Sequence, residues 1–218
     1  EEYIDYSIGT IPSQVTVMRA GERLDSNDTI HYDDILTITY EVTTGYNFVS
    51  FEVEGASETG ANTYRVTGDV TISYSEEIQR FTVTWQDYDG RVLETDNDVA
   101  YGTVPSYDSA DPTRADDEDY KYTFSGWDKT LDPITADTVF TAQYDTTDIY
   151  RIYFYDEDRT SLLYTEKVYD GEDSIYRTIP TKDADETFTY TFANWLDSTG
   201  AIADLTNITE NKNVYASY

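Results

Sequence analysis

Chemistry in this chain would have to come from carboxylates, tyrosines and one imidazole, because cysteine is absent and His31 stands alone. His31, in Thr-Ile-His-Tyr-Asp-Asp, has neighbours suited to a hydrolytic triad. A triad also needs a nucleophile on a strained turn, and no Gly-x-Ser-x-Gly elbow occurs, so His31 reads as a loop or strand-edge residue. The pairs Asp87/Asp89 and Asp156/Asp158 are calcium candidates, since hard cations collect carboxylate oxygens. They lack the third ligand, the glycine and the closing Glu of an EF-hand loop. Asp89-Gly90 between alternating runs is first of all a hairpin turn. The acidic run from Asp108 to Asp119, offset only by Arg114, reads as a solvated loop. Carboxylate pairs can hydrolyse glycosidic bonds, but a small repeated module offers little cleft. No catalytic residue, cofactor or resident metal is expected.

The aromatic residues fall into two classes. Trp85, Phe124, Trp127, Phe154, Phe192 and Trp195 recur in phase and read as packing. Tyr88, Tyr107, Tyr153, Tyr155 and Tyr176 fall out of phase and are the candidate ligand-binding residues. An outward row of tyrosines can stack on sugar rings or form a protein-binding patch. The plainer alternative is that they are good exposed strand residues with modest cross-strand pairing. Asn27-Asp-Thr29 and Asn207-Ile-Thr209 fit the glycosylation sequon. Lys121 alternates with Tyr120 and Tyr122 and is expected to point outward, away from any isopeptide link.

The elements that would position these groups are strands. Of 218 residues, 22 are Tyr, 8 Phe and 3 Trp, far richer in aromatics than a disordered acidic chain. Tyr, Thr, Val and Ile dominate the periodic segments and suit a pleated, half-buried surface. Fourteen Lys plus Arg face 44 Asp plus Glu, a net charge of −30 that repels phosphates and anionic lipid heads. Nucleic-acid partners and direct membrane insertion are not expected, and the apolar runs are far shorter than the ~20 residues of a membrane span. Glu1-Glu2 reads as the start of an excised fragment.

Internal repetition is the strongest signal. Phe81, Val83 and Trp85 match Tyr150, Ile152 and Phe154 at an offset of 69, and Asp87, Leu93, Val99 and Gly102 follow at the same offset. The offset then becomes 68: Pro112-Thr113 matches Pro180-Thr181, and Tyr122-Thr-Phe124-Ser-Gly-Trp127 matches Tyr190-Thr-Phe192-Ala-Asn-Trp195. Phe140, Ala142 and Tyr144 close one copy as Val214, Ala216 and Tyr218 close the other. Gly45-Tyr46-Asn-Phe48-Val-Ser-Phe51 is a diverged relative, with strands expected near 15–19, 35–42 and 47–54. Segments 75–80 and 145–148 read as tight junctions. The expected fold is mainly β (β-dominated α+β at most), as three tandem modules over 1–77, 78–146 and 147–218.

The order Thr-Val-Thr-Trp, Asp-Gly, Tyr-Gly, Pro-Thr, Tyr-Thr-Phe-Ser-Gly-Trp and Thr-Ala-Gln-Tyr resembles the Listeria–Bacteroides repeat, a family similar to the internalin B repeat. The resemblance spans 81–144 and 149–218, with 15–75 like a related bacterial surface repeat. Lys121 and Thr189 stand where the family has its first Gly, and Asn194 where it has the second. The resemblance implies small β-grasp-like modules in a linear array, at the cell surface or secreted, as the stalk or spacer of an adhesin-like cell-wall protein. A monomeric, elongated fragment is expected. The alternative is a binding module for a glycan or a host or cell-surface protein, using exposed tyrosines or a sheet edge.

Overall fold

The computed structural model describes residues 4–218, so Glu1-Glu2 lies outside the described residues. Among those described, every regular element is a strand. They are β1 (Asp5–Ser7), β2 (Val15–Arg19), β3 (Glu22–Arg23), β4 (Thr29–His31), β5 (Ile35–Tyr40), β6 (Tyr46–Gly60) and β7 (Thr63–Ile78). There follow β8 (Arg80–Gln86), β9 (Val92–Ala100), β10 (Tyr120–Trp127), β11 (Thr138–Tyr155), β12 (Leu162–Tyr169), β13 (Asn194–Leu196) and β14 (Lys212–Ser217). The mainly-β expectation therefore holds.

The chain packs as two compact units. One takes the chain up to Trp85 with Glu94–Asp108 and Thr130–Phe140; the other takes Gln86–Leu93, Ser109–Lys129 and Thr141–Tyr218. In the first, an antiparallel sheet runs β3-β2-β5-β7-β6, beside a separate β1–β4 pair. Alternation sets its core: Leu36 and Ile38 are buried on β5 while Ile35 and Thr37 between and before them are exposed. Val15, Val17, Val66, Val70 and Ile72 complete that face, and Ile8 and Ile30 join it. Bulges at Phe48/Ser50, Glu54/Ala56 and Glu58/Gly60 bend the long β6–β7 hairpin. In the same unit Trp85, fully buried, stacks on Phe140 at 4.6 Å between ring centroids.

In the second unit β11 is the spine. Its residues Ala142–Asp148 pair with β10, and Ile149–Tyr155 pair with β12, both antiparallel. Parallel to it lies β14, which pairs with β13 on its other side. The core is Ile152, Phe154, Val168, Ile208 and Val214, with Tyr150, Tyr176 and Trp195 packed against it. A parallel pair needs a crossover of a dozen or more residues, usually a helix. Here residues 170–193 carry no helix or strand. They are pinned instead. The buried Glu166 carboxylate accepts from Ser174 Oγ at 2.5 Å and from the Ile175 amide at 2.7 Å. Gly171 donates its amide to the Ile208 carbonyl, and Ile208 returns one to Glu172.

Two local expectations differ from what is found. The segments 75–80 and 145–148, read as junctions, lie largely inside strands: Ser75–Ile78 belong to β7 and pair with β6, and 145–148 belong to β11 and pair with β10. Tyr190-Thr-Phe192 is not a strand like its counterpart in β10, since pairing with β14 starts only at Asn194.

Candidate functional site

Asp87, only 2% exposed, sits at the start of a tight turn closed by its own backbone bonds to Arg91 and Gly90. Its carboxylate accepts from the Tyr88 amide (2.9 Å), the Arg91 guanidinium (2.9 Å) and the Tyr144 hydroxyl (2.8 Å). Burial alone would raise this carboxyl, but the donation from Arg91, Tyr144 and Tyr88 holds it below the usual carboxylate range. Burial, and then the bond to Asp87, push the Tyr144 phenol far up. The second copy repeats the arrangement. Asp156 opens the equivalent turn, and the Tyr218 hydroxyl donates to it at 3.0 Å. Tyr218 is pushed up to about 12, by burial first and by Asp156 second.

The remaining calcium candidates are turn braces too. Asp89 accepts from the Arg91 amide. Asp158 accepts from the Thr160 and Ser161 amides and from Ser161 Oγ, and these donors, the Ser161 hydroxyl foremost, hold it at about 2. Among the described residues no three His, Asp or Glu side chains come close enough to share a metal ion.

Around these turns lies an assembly present twice. Asp117 accepts from the Asp119 and Tyr120 amides and from the Tyr122 hydroxyl at 2.6 Å. Arg114 lies over the Tyr122 ring at 3.4 Å and over the Tyr88 ring at 4.2 Å, a guanidinium between two phenols. At the matching positions, Asp185 accepts from the Thr187 and Phe188 amides and the Tyr190 hydroxyl. Lys182 lies over Tyr190 at 3.9 Å, and an ion pair with Glu157 takes the place of the Tyr88 ring. Phe124 meets Trp127 and Tyr144 just as Phe192 meets Trp195 and Tyr218. Each assembly ties a long irregular segment to its sheet.

These contacts correct one reading. The run Asp108–Asp119 is not simply a solvated loop: Asp117 is a backbone cap, and Asp116 binds Lys167 (2.9 Å) and the Tyr169 hydroxyl (2.8 Å). Lys121, expected to point outward, lies over the Tyr169 ring at 4.5 Å. Sequence reasoning missed Arg114 and Lys182; the signal was a cation eight residues before Tyr122 and before Tyr190, in step with the repeat.

The candidate tyrosines are mostly engaged. Tyr107 packs on Trp85 at 5.5 Å, and Tyr176 packs on Phe154 at 4.4 Å and stacks on Tyr164 at 4.5 Å. Both belong to core edges, not to an outward row, because the irregular segments carrying them fold back over the buried rings. Tyr155 stacks on Tyr215, and Tyr88 is half exposed with Arg114 on its ring. Tyr153 is partly exposed on β11. Two apart on β11, Tyr153 and Tyr155 share one face of the sheet.

His31 ends β4 with its imidazole between carboxylates, Nε2 3.3 Å from Asp5 and Nδ1 3.5 Å from Asp34. Burial works against ionisation of Asp34, yet the His31 amide and Arg19 hold its carboxyl below the ordinary range. Chemically, the carboxylates of both units serve as acceptors for fixed donors. No family model and no curated protein matches the chain.

Proposed function

We propose that this chain is a non-catalytic repeat segment of a secreted or surface-anchored bacterial protein, a stalk or spacer for an adhesin-like partner domain. The observation that carries the reading is the doubled assembly: packing, turn brace and cation–tyrosine clamp recur at matched positions, each spent on holding an irregular segment in place. A chain that repeats its fastenings is suited to bearing position and load. The module boundaries of the sequence reading, 1–77, 78–146 and 147–218, and the likeness to Listeria–Bacteroides modules belong to this proposal.

Stiffness at the junctions supports it. Around Gln79, the amide donates to the Gly45 carbonyl (2.8 Å) and the carbonyl accepts from the Tyr101 amide (2.9 Å). At 145–148 the strand is unbroken, and the Asp116–Lys167–Tyr169–Lys121 cluster brackets it. A glycan- or protein-binding role through tyrosines has less support, since Tyr88, Tyr107, Tyr155 and Tyr176 each carry another side chain on a ring. Small-angle scattering tests the spacer reading: an elongated particle is expected, with a maximum dimension insensitive to moderate salt. A compact particle with modules collapsed on one another would refute it.

A further inference from the structure

We infer that residues 188–191 form a preshaped acceptor edge for a β-strand that runs on from Tyr218, in the register that β10 and β11 already use. The proposal concerns the edge itself and holds whether the array is a spacer or a ligand binder.

In β10, Tyr120, Lys121, Tyr122, Thr123 and Phe124 pair with Asp148, Thr147, Thr146, Asp145 and Tyr144. At the repeat offset of 68 these five β10 residues become Phe188, Thr189, Tyr190, Thr191 and Phe192. Side chains at the last position already meet, as the Phe192 ring lies 6.3 Å from the Tyr218 ring where Phe124 lies 6.0 Å from Tyr144. Among the described residues the other four have no strand opposite them, and 188–191 is not in a ladder. Yet the segment is held as its counterpart is. The Asp185 amide donates to the Phe188 carbonyl as that of Asp117 does to Tyr120, and both carboxylates cap the same two amides and the same tyrosine.

Which groups await a partner follows from the ladder. The Ile149 amide donates to the Asp119 carbonyl, and antiparallel pairs alternate, so Lys121 and Thr123 occupy hydrogen-bonded positions. Their equivalents are Thr189 and Thr191. An edge with ordered, unpaired amides is a template for strand addition. Phe188, 62% exposed beside it, is the apolar surface such a strand would cover. The occupant this edge fits is an extended backbone segment joined to Tyr218 in the register that Asp145–Asp148 take against β10.

The test appends a second copy of residues 145–218 after Tyr218 and follows amide hydrogen exchange by NMR. Thr189 and Thr191 should slow by on the order of 100-fold, into the range of Lys121 and Thr123 in the same molecule. Thr147→Pro within the appended copy should reduce that slowing severalfold, because it removes the amide that would donate to the Thr189 carbonyl and so weakens the strand that carries the acceptors for Thr189 and Thr191. A second variant carries only Asp-Thr-Thr-Asp-Ile after Tyr218, which needs no folded module, and should slow the same two amides several-fold. If neither extension slows them, or if Thr147→Pro leaves the slowing intact, the proposal fails. It fails equally if Thr189 and Thr191 in the unextended chain become protected as protein concentration rises, which would assign the edge to a second copy.

Discussion

Tyr144→Phe removes one hydroxyl and leaves the ring, so its edge-on contacts with Phe124 and Tyr88 survive. What is lost is a 2.8 Å bond to a carboxylate only 2% exposed. A hydrogen bond to a charged group contributes about 1.5–3 kcal/mol, and no water reaches Asp87 to replace it, so a cost near 2 kcal/mol is expected. Tyr218→Phe deletes the matching 3.0 Å bond to Asp156, which is only half buried. Water substitutes there, and about 0.5–1 kcal/mol is expected. Both pairs lie in one compact unit, so urea unfolding followed by circular dichroism reads them through the same transition. With a slope of roughly 2 kcal/mol per molar, Tyr144→Phe should lower the midpoint by about 1 M. The acid limb should move with it. Donors depress the folded Asp87 carboxyl, so its contribution is present above about pH 4 and fades as pH falls through the folded value; losing Tyr144 brings that fade closer to neutrality. A Tyr144→Phe cost under about 0.5 kcal/mol, or equal costs at both sites, would refute the claim that burial makes the Asp87 pin the stronger.

Trp85→Ala, at a fully buried ring stacked on Phe140, should cost about 3–5 kcal/mol, against roughly 1–2 for the half-buried Trp127; equal midpoints would count against the core assignment. Gly55→Ala should cost about 3 kcal/mol, because φ is +75° and a Cβ would lie 1.9 Å from the Asp69 carbonyl oxygen. Gly21→Ala, also at positive φ but with open space, should cost only about 1 kcal/mol, and a reversed order in thermal melts would overturn the steric reasoning. At the alkaline end, Tyr74 and Tyr218 are both raised to about 12 in the fold. Their stabilisation is complete below the unfolded value near pH 10 and is lost as pH rises toward 12, so urea midpoints should fall across that window. A flat profile from pH 8 to 12 would contradict it.

Much of this fold was legible because it obeys a period of two. Phe81, Val83 and Trp85 alternate in sequence and lie on β8, and the strands expected near 15–19, 35–42 and 47–54 appear as β2, β5 and the first part of β6. The irregular segments were not legible, for they have no period to read. Residues 103–119 and 170–193 are shaped by single long-range bonds, such as Asp116 to Lys167 or Glu166 to Ser174. That is why Tyr107 and Tyr176, out of phase in sequence, nevertheless meet buried rings. Phe192 shows the reverse case: its pattern matches Phe124, but a strand forms only where a neighbour supplies the other half of the ladder.

One consequence reaches beyond folding. Long loops without regular structure are where proteases ordinarily cut. Across 103–119 and 170–193 the only basic residues are Arg114, Arg177 and Lys182. Arg114 is sandwiched by phenols, Arg177 bonds to the Ser174 and Tyr176 carbonyls, and Lys182 is paired with Glu157 beneath Tyr190. Enzymes of trypsin-like preference must pull Arg114 or Lys182 from its seat before they can engage it, which leaves the exposed Arg177 as the readiest point of attack across both segments.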